Sequence, residues 1–143
     1  MAKTKQVGKA VLINQNGEIL LLMRGKTAPT RALTWDLPGG VVGDDEDVKA
    51  STIREIEEET TLKLDDLTYA IEMKQPWGFY WTLYFSELSS GPEIKISWEH
   101  DKFIWCDPAK LEELADLPVF LRIIIEKVLK ARSQSDSKET PQS

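Results

Sequence analysis

Apolar positions in the first third of the chain come in short runs, not at helical spacing. Residues 7–13 and 18–24 are two such runs around Asn14-Gln15-Asn16-Gly17, a polar, glycine-ending connection that predicts a β-hairpin. Residues 26–33, with one proline and two threonines, read as a loop, and residues 35–42 bring a short strand into the Gly39-Gly40 turn. The pattern then changes period. Residues 47–60 contain no glycine or proline, and Ala50, Ile53 and Ile56 recur every third position, predicting a helix with one buried stripe. Residues 67–74 and 78–88 return to strand spacing around Gln75-Pro76-Trp77. Within the second run Phe79, Trp81 and Phe85 share one face and Tyr80 and Tyr84 the other. Residues 89–92 predict a turn, 93–98 a short edge strand, and 103–105 a further strand after a polar loop. Asp107 as cap with Pro108 at the first position starts a short helix to about residue 114, and 118–131 form an amphipathic helix. Residues 1–5 are polar and basic, a loose end. From Arg132 the chain is rich in Ser, Lys and Gln and reads as a disordered tail. Strands and helices mixed in this order predict an α/β fold, a mixed sheet between helices.

Size and charge narrow the picture. A chain of 143 residues, 41% hydrophobic and 29% charged, fits one well-cored domain over residues 1–131, with 132–143 as its tail. The single Cys106 excludes an intrachain disulfide and fits a reducing compartment, so a cytoplasmic protein is expected. The single His100 excludes a multi-histidine metal cluster. The longest apolar run, residues 19–23, is far below spanning length, so no membrane partner is expected. The net charge of −6 and the lack of a basic stripe argue against a nucleic-acid polymer as ligand. A free nucleotide remains compatible, since metal ions can bridge its phosphates to an acidic site.

That acidity is concentrated. From Asp44 to Glu59 eight acids face two bases, a local charge of −6 that equals the charge of the whole chain. Acids suit the positive end of the predicted helix, and Asp44 or Asp45 is the expected N-cap. On the helix Glu55, Glu58 and Glu59 stand at i, i+3 and i+4 and share a face, where like charges repel by roughly 0.2–0.5 kcal/mol per pair. One reading is a solvated acidic face, partly neutralised by Arg54 reaching Glu58. The other is a set of hard oxygen ligands for a divalent cation, magnesium first, whose shell substrate phosphates and water complete. The wider spacing decides between them: Gly40, five residues, Glu46, seven residues, then Arg54-Glu55-Ile56-x-Glu58-Glu59. At ordinary residue frequencies that pattern arises in a chain this long about once in a million.

The segment from Gly40 to Leu62 resembles the Nudix box, the signature of hydrolases that cleave nucleoside diphosphates linked to another moiety. Gly40, Glu46, Arg54, Glu55, Ile56, Glu58, Glu59 and Leu62 match its fixed positions, and residues 35–40, Trp-Asp-Leu-Pro-Gly-Gly, look like its usual lead-in. The resemblance implies an α/β/α sandwich over residues 6–131. It implies magnesium, with manganese as the alternative, held by Glu55, Glu58 and Glu59, with the Gly40 carbonyl as a further ligand. Arg54 then orients a glutamate, and Glu46 fixes the glycine loop. Glu99 sits where relatives carry an acid for metal binding or water activation, with Glu55 as the rival base. Arg24 is either a phosphate ligand or a surface arginine. Trp35, Trp77, Phe79 and Trp81 are candidates to stack on a nucleobase, against core roles for each. One position departs: the family's glycine after the last glutamates is Thr61, which fits a left-handed conformation poorly, so the helix is expected to end differently. The implied activity is magnesium-dependent pyrophosphohydrolysis of a small nucleotide, an unmodified or oxidised nucleoside triphosphate first, by a monomer or homodimer. ADP-ribose and dinucleoside polyphosphates are alternatives, as is a Nudix-fold module that senses a nucleotide without cleaving it.

Overall fold

The computed structural model describes residues 5–89 and 93–139, with side chains as far as residue 134. Strand β1 (Lys5–Ile13) is the spine of a mixed sheet. Strand β6 (Phe79–Glu87) runs parallel to it along its whole length, from Lys5 opposite Phe79 to Ile13 opposite Glu87, and β5 (Thr68–Lys74) lies antiparallel outside β6. The hairpin at Asn14–Gly17 closes as expected, with the Asn14 N–H on the Glu18 carbonyl at 2.9 Å and Gly17 at φ 76°. Yet β2 (Ile19–Arg24) shares only the Ile13–Ile19 pair with β1. Beyond it the two strands part. β2 takes β3 (Trp35–Asp36) and β7 (His100–Cys106), while β1 takes β4 (Gly39–Val41) along Val7–Lys9. The parting opens a cleft at the Arg24 end of β2.

Helices close both faces. Along β1 and β2 the two-residue period sends Val7, Val11, Ile13, Ile19, Leu21 and Met23 to one side, where they meet Leu121, Ile124, Ile125 and Val128 of α2 (Val119–Glu139). Ala10, Leu12, Leu20 and Leu22 go to the other side, against Ile56 of α1 (Val48–Thr60) and Leu62. Each fully buried aliphatic side chain contributes about 1.5–3 kcal/mol, so both layers are driven by burial. This is the expected α/β/α sandwich. Gly8 sets how closely α1 approaches: a Cβ there would lie 1.8 Å from the Thr52 hydroxyl oxygen. Among the described residues no helix is long and apolar enough to cross a membrane.

Several expectations are corrected. The cap of α1 is Asp47, whose carboxylate accepts the Ala50 N–H at 3.0 Å, and not Asp44 or Asp45; Asp45 sits in the preceding turn at φ 67°. Thr61 adopts the left-handed conformation after all (φ 65°, ψ 6°), its N–H on the Glu57 carbonyl at 2.8 Å. Burial drives it there, because the turn drops Leu62 into the α1-side core. Residues 93–98 form no strand. Their alternation is real, since Ile94 and Ile96 pack against that core, but Lys95 and Ser97 donate to the Thr60 and Glu59 carbonyls at 3.1 Å. The segment thus satisfies a helix end and leaves the sheet edge alone. Pro108–Glu113 is a 3₁₀ helix capped by Asp107, with the predicted chemistry and a tighter turn. Strand β1 begins at Lys5, inside the expected loose end, because Lys5 pairs with Phe79. Helix α2 runs on to Glu139 where a structureless tail was expected from Arg132; no glycine or proline interrupts 119–139, so the packed turns before it propagate. Residues 1–4, part of the turn at 89–92 (residues 90–92) and the last four residues lie outside the described residues.

Candidate active site

The cleft where β1 and β2 part holds about 850 Å³. Its acidic wall comes from α1 and the β4 turn. Gly39, at φ 124°, passes so close to β1 that a Cβ would lie 2.1 Å from the Gly8 carbonyl oxygen, so no other residue fits. That approach lets the Gly39 N–H donate to the Glu59 carboxylate at 2.8 Å. Glu59 is only 7% exposed, and burial pushes it up to about 8 against the lowering effect of Lys9 and the Gly39 bond. A Cβ on Gly40 would stand 3.5 Å from the Glu55 carboxylate, which places that carboxylate beside the glycine turn. Glu55 is also raised, first by burial, then by the negative charges of Glu58 and, less, Glu99. Glu99 lines the cleft beside His100, whose imidazole is lowered by burial and by Lys9.

Arg54 and Glu58 stand outside the cleft lining. Arg54 donates to Glu58 at 2.8 Å and to both Glu46 oxygens at 3.2 Å, with Glu55 at 3.5 Å. Glu46 in turn accepts the Gly43 N–H at 3.1 Å. The arginine therefore ties the glycine loop to the helix face. Among the described residues no three acidic, histidine or cysteine side chains already converge as metal ligands. The donor set nevertheless fits a hard cation: Glu55 and Glu59 are crowded or buried carboxylates whose ionised forms the nearby Arg54 and Lys9 offset only in part, and the Gly40 turn adjoins them. Glu58 fits less directly, since it is turned to Arg54.

The opposite wall is cationic and aromatic, and much of it was hidden from the sequence. Asp36 is fully buried, and its Oδ2 accepts Lys9 at 3.0 Å and Arg24 at 3.1 Å, with Arg31 at 3.9 Å. Burial alone would raise this carboxyl; Lys9, Arg31 and Arg24 outweigh it and hold it below its ordinary value. Lys9 also donates to the Leu37 and Gly39 carbonyls at 3.2 and 3.3 Å, bracing the turn that carries the acidic wall. Arg24 lines the cleft, but its donors go to Thr30 and Asp36, which makes it an anchor for the loop at 25–33. Trp77, Phe79 and Trp81 line the cleft, Trp77 half-exposed and Trp81 buried. Phe120 joins them from α2, edge-on to Trp77 at 5.7 Å and to Trp81 at 6.1 Å. Trp35 does not: it is buried in the α2-side core, with Lys102 over its ring at 5.7 Å. The exposed Trp98 is a further lining residue that sequence reasoning passed over.

The sequence and the fold match a known family of proteins. The NUDIX domain family model covers residues 4–128. The fold is similar to that of the MutT protein from Methanosarcina mazei Go1, with a TM-score of 0.74 and 27% identity over 92% of this chain and 98% of that one. It is also similar to the MutT NUDIX hydrolase from Burkholderia pseudomallei, with a TM-score of 0.71 and 30% identity over 89% of this chain and 99% of that one. An RNA pyrophosphohydrolase from Acidiphilium cryptum (strain JF-5) is 40% identical over 50 residues, 35% of this chain and only 30% of that protein's length. The chain belongs to the Nudix family, whose hydrolases act on pyrophosphate bonds with divalent metal ions.

Proposed function

We propose that this protein is a magnesium-dependent pyrophosphohydrolase of small nucleotides, acting first on an unmodified or oxidised nucleoside triphosphate. One observation carries the reading: a single cleft gathers Glu55, Glu59 and the Gly40 turn on one wall and cations and aromatic rings on the other. Those are the groups that a metal-bridged pyrophosphate and a flat base require. Magnesium bound by Glu55, Glu59 and the Gly40 carbonyl would supply charge neutralisation and polarisation at the phosphorus. Gly39 fixes Glu59 by its N–H, and Arg54 holds Glu58 and Glu46 so that the helix face keeps its place. Glu99, free of those bonds and in the same cleft, accepts the proton of the attacking water. The new P–O bond replaces the bridging P–O bond, and nucleotide and pyrophosphate leave.

The test is substitution on the acidic wall. Glu55→Gln or Glu59→Gln should lower turnover about 10²–10⁴-fold, about 3–5 kcal/mol of barrier, while the melting transition stays cooperative. Full activity in either variant sinks the reading. A folded wild type that binds nucleotide with magnesium and turns over nothing would favour a sensing module.

A further inference from the structure

Three cations surround the one carboxylate of Asp36, and they are not equivalent. Lys9 spends its donors on Asp36, Leu37 and Gly39, and Arg24 spends its own on Asp36 and Thr30. Arg31 makes no side-chain hydrogen bond among the described residues. Its Nη2 stands 3.9 Å from Asp36, beyond bonding distance, and its Nη1 is buried with no acceptor. The guanidinium is nonetheless held in place, 5.2 Å over the Phe120 ring, in the wall of the cleft. The backbone that presents it is held in the left-handed region, at φ 50°. Only Nη1 is shut off from water, since the side chain as a whole stays 29% exposed, and a buried guanidinium nitrogen without an acceptor is unfavourable.

We infer that Arg31 binds a phosphate of the substrate beyond the pyrophosphate engaged at the glutamate wall, so the cleft selects nucleotides that carry a further phosphate on the far side of that pyrophosphate. This rests on the proposed hydrolase reading and names its substrate class. Charge decides for phosphate over a neutral base carbonyl. Lys9, Arg24 and Arg31 set three positive charges against Asp36, an excess of two on that wall. The acids of the other wall would face the metal of the proposed hydrolase. A phosphate offers the paired acceptor oxygens that a planar guanidinium bonds two at a time, where a carbonyl offers one.

The experiment compares wild type, Arg31→Gln and Arg31→Lys in two assays. Turnover is measured on a nucleoside triphosphate and on ADP-ribose, which carries only an uncharged sugar beyond its pyrophosphate. Binding is measured by calorimetry on an α,β-methylene nucleoside triphosphate and on the nucleoside monophosphate. Arg31→Gln should raise KM for the triphosphate about 10- to 100-fold with kcat within threefold, and weaken the methylene analogue equally. Monophosphate binding should stay within twofold, and Arg31→Lys should lose only about 3- to 10-fold. Equal losses on monophosphate and triphosphate, or no loss on either, overturn the inference. Should wild type cleave nothing, the hydrolase reading fails by itself, and the methylene analogue still decides the role of Arg31. Should Arg31→Gln not fold, Arg31→Lys decides, and an unchanged triphosphate preference overturns the inference.

Discussion

Replacing Thr61 by glycine should make this protein more stable, although it deletes a side chain and a hydrogen bond. Thr61 closes α1 at φ 65° and ψ 6°, where an L-residue pays about 1–2 kcal/mol that glycine does not. Two terms oppose the gain. Glycine widens the unfolded ensemble by about 0.4–1 kcal/mol. The Thr61 hydroxyl also loses its bond to the Thr60 carbonyl, a 2.5 Å contact to a neighbouring residue. So local a contact sits at the low end of the net worth of a hydrogen bond, about 0.5 kcal/mol. The balance at the middle of these ranges is a stabilisation of about 0.3 kcal/mol and a rise in Tm of about 1 °C for a chain of this size. Urea titration with a shared m-value measures it, and differential scanning calorimetry checks it. Turnover should not move, because Thr61 contributes nothing to the cleft lining. A clear loss of stability would refute the reasoning, showing that the threonine is chosen for contacts that outweigh its backbone cost.

Two further perturbations probe the frame beneath the site. Asp36→Asn leaves Lys9 buried without its counter-charge and should cost about 3–5 kcal/mol in urea titration. The native carboxyl is held below its ordinary value near 3.8, so its stabilisation is complete above that pH and is lost as pH falls through the depressed value. The gap between wild type and Asp36→Asn should therefore close in acid, and a gap constant down to pH 2 would contradict the ion-pair account. Gly8→Ala places a methyl 1.8 Å from the Thr52 hydroxyl and should cost about 1–3 kcal/mol. Adding Thr52→Ala removes that oxygen and should restore part of the loss; strict additivity in the double-mutant cycle would deny the contact.

How much of this was legible in the chain depends on the range of the interaction. The helix of glutamates, the glycine turn, the Asn14–Gly17 hairpin and the Asp107-Pro108 start are local patterns, and the structure places each where its spacing says. The cationic wall is not local. Lys9 sits inside an apolar run and meets Asp36 27 positions away, so nothing near either residue announces the pair. In the sequence Phe120 is one more apolar position of the amphipathic helix over 118–131, and only the packing of α2 turns it toward Trp77. Trp35 errs in the opposite direction: its place beside a loop predicts a free ring, while the strand that pairs it with Met23 carries it into the core. Residues 93–98 show the limit of periodicity: alternation reports which side chains are buried, not which backbone they bond. At Thr61 the expected different helix end does not occur: the local preference against a left-handed threonine is overruled, because the burial of Leu62 outweighs the strain.

The most direct test of the central claim is phosphate and pyrophosphate release from unmodified and oxidised nucleoside triphosphates, ADP-ribose and diadenosine polyphosphates, each with magnesium and with chelator. Turnover of triphosphates that needs magnesium and stops with chelator is the result the account predicts. Turnover that survives chelation, or none from a folded protein that binds the metal, would contradict it.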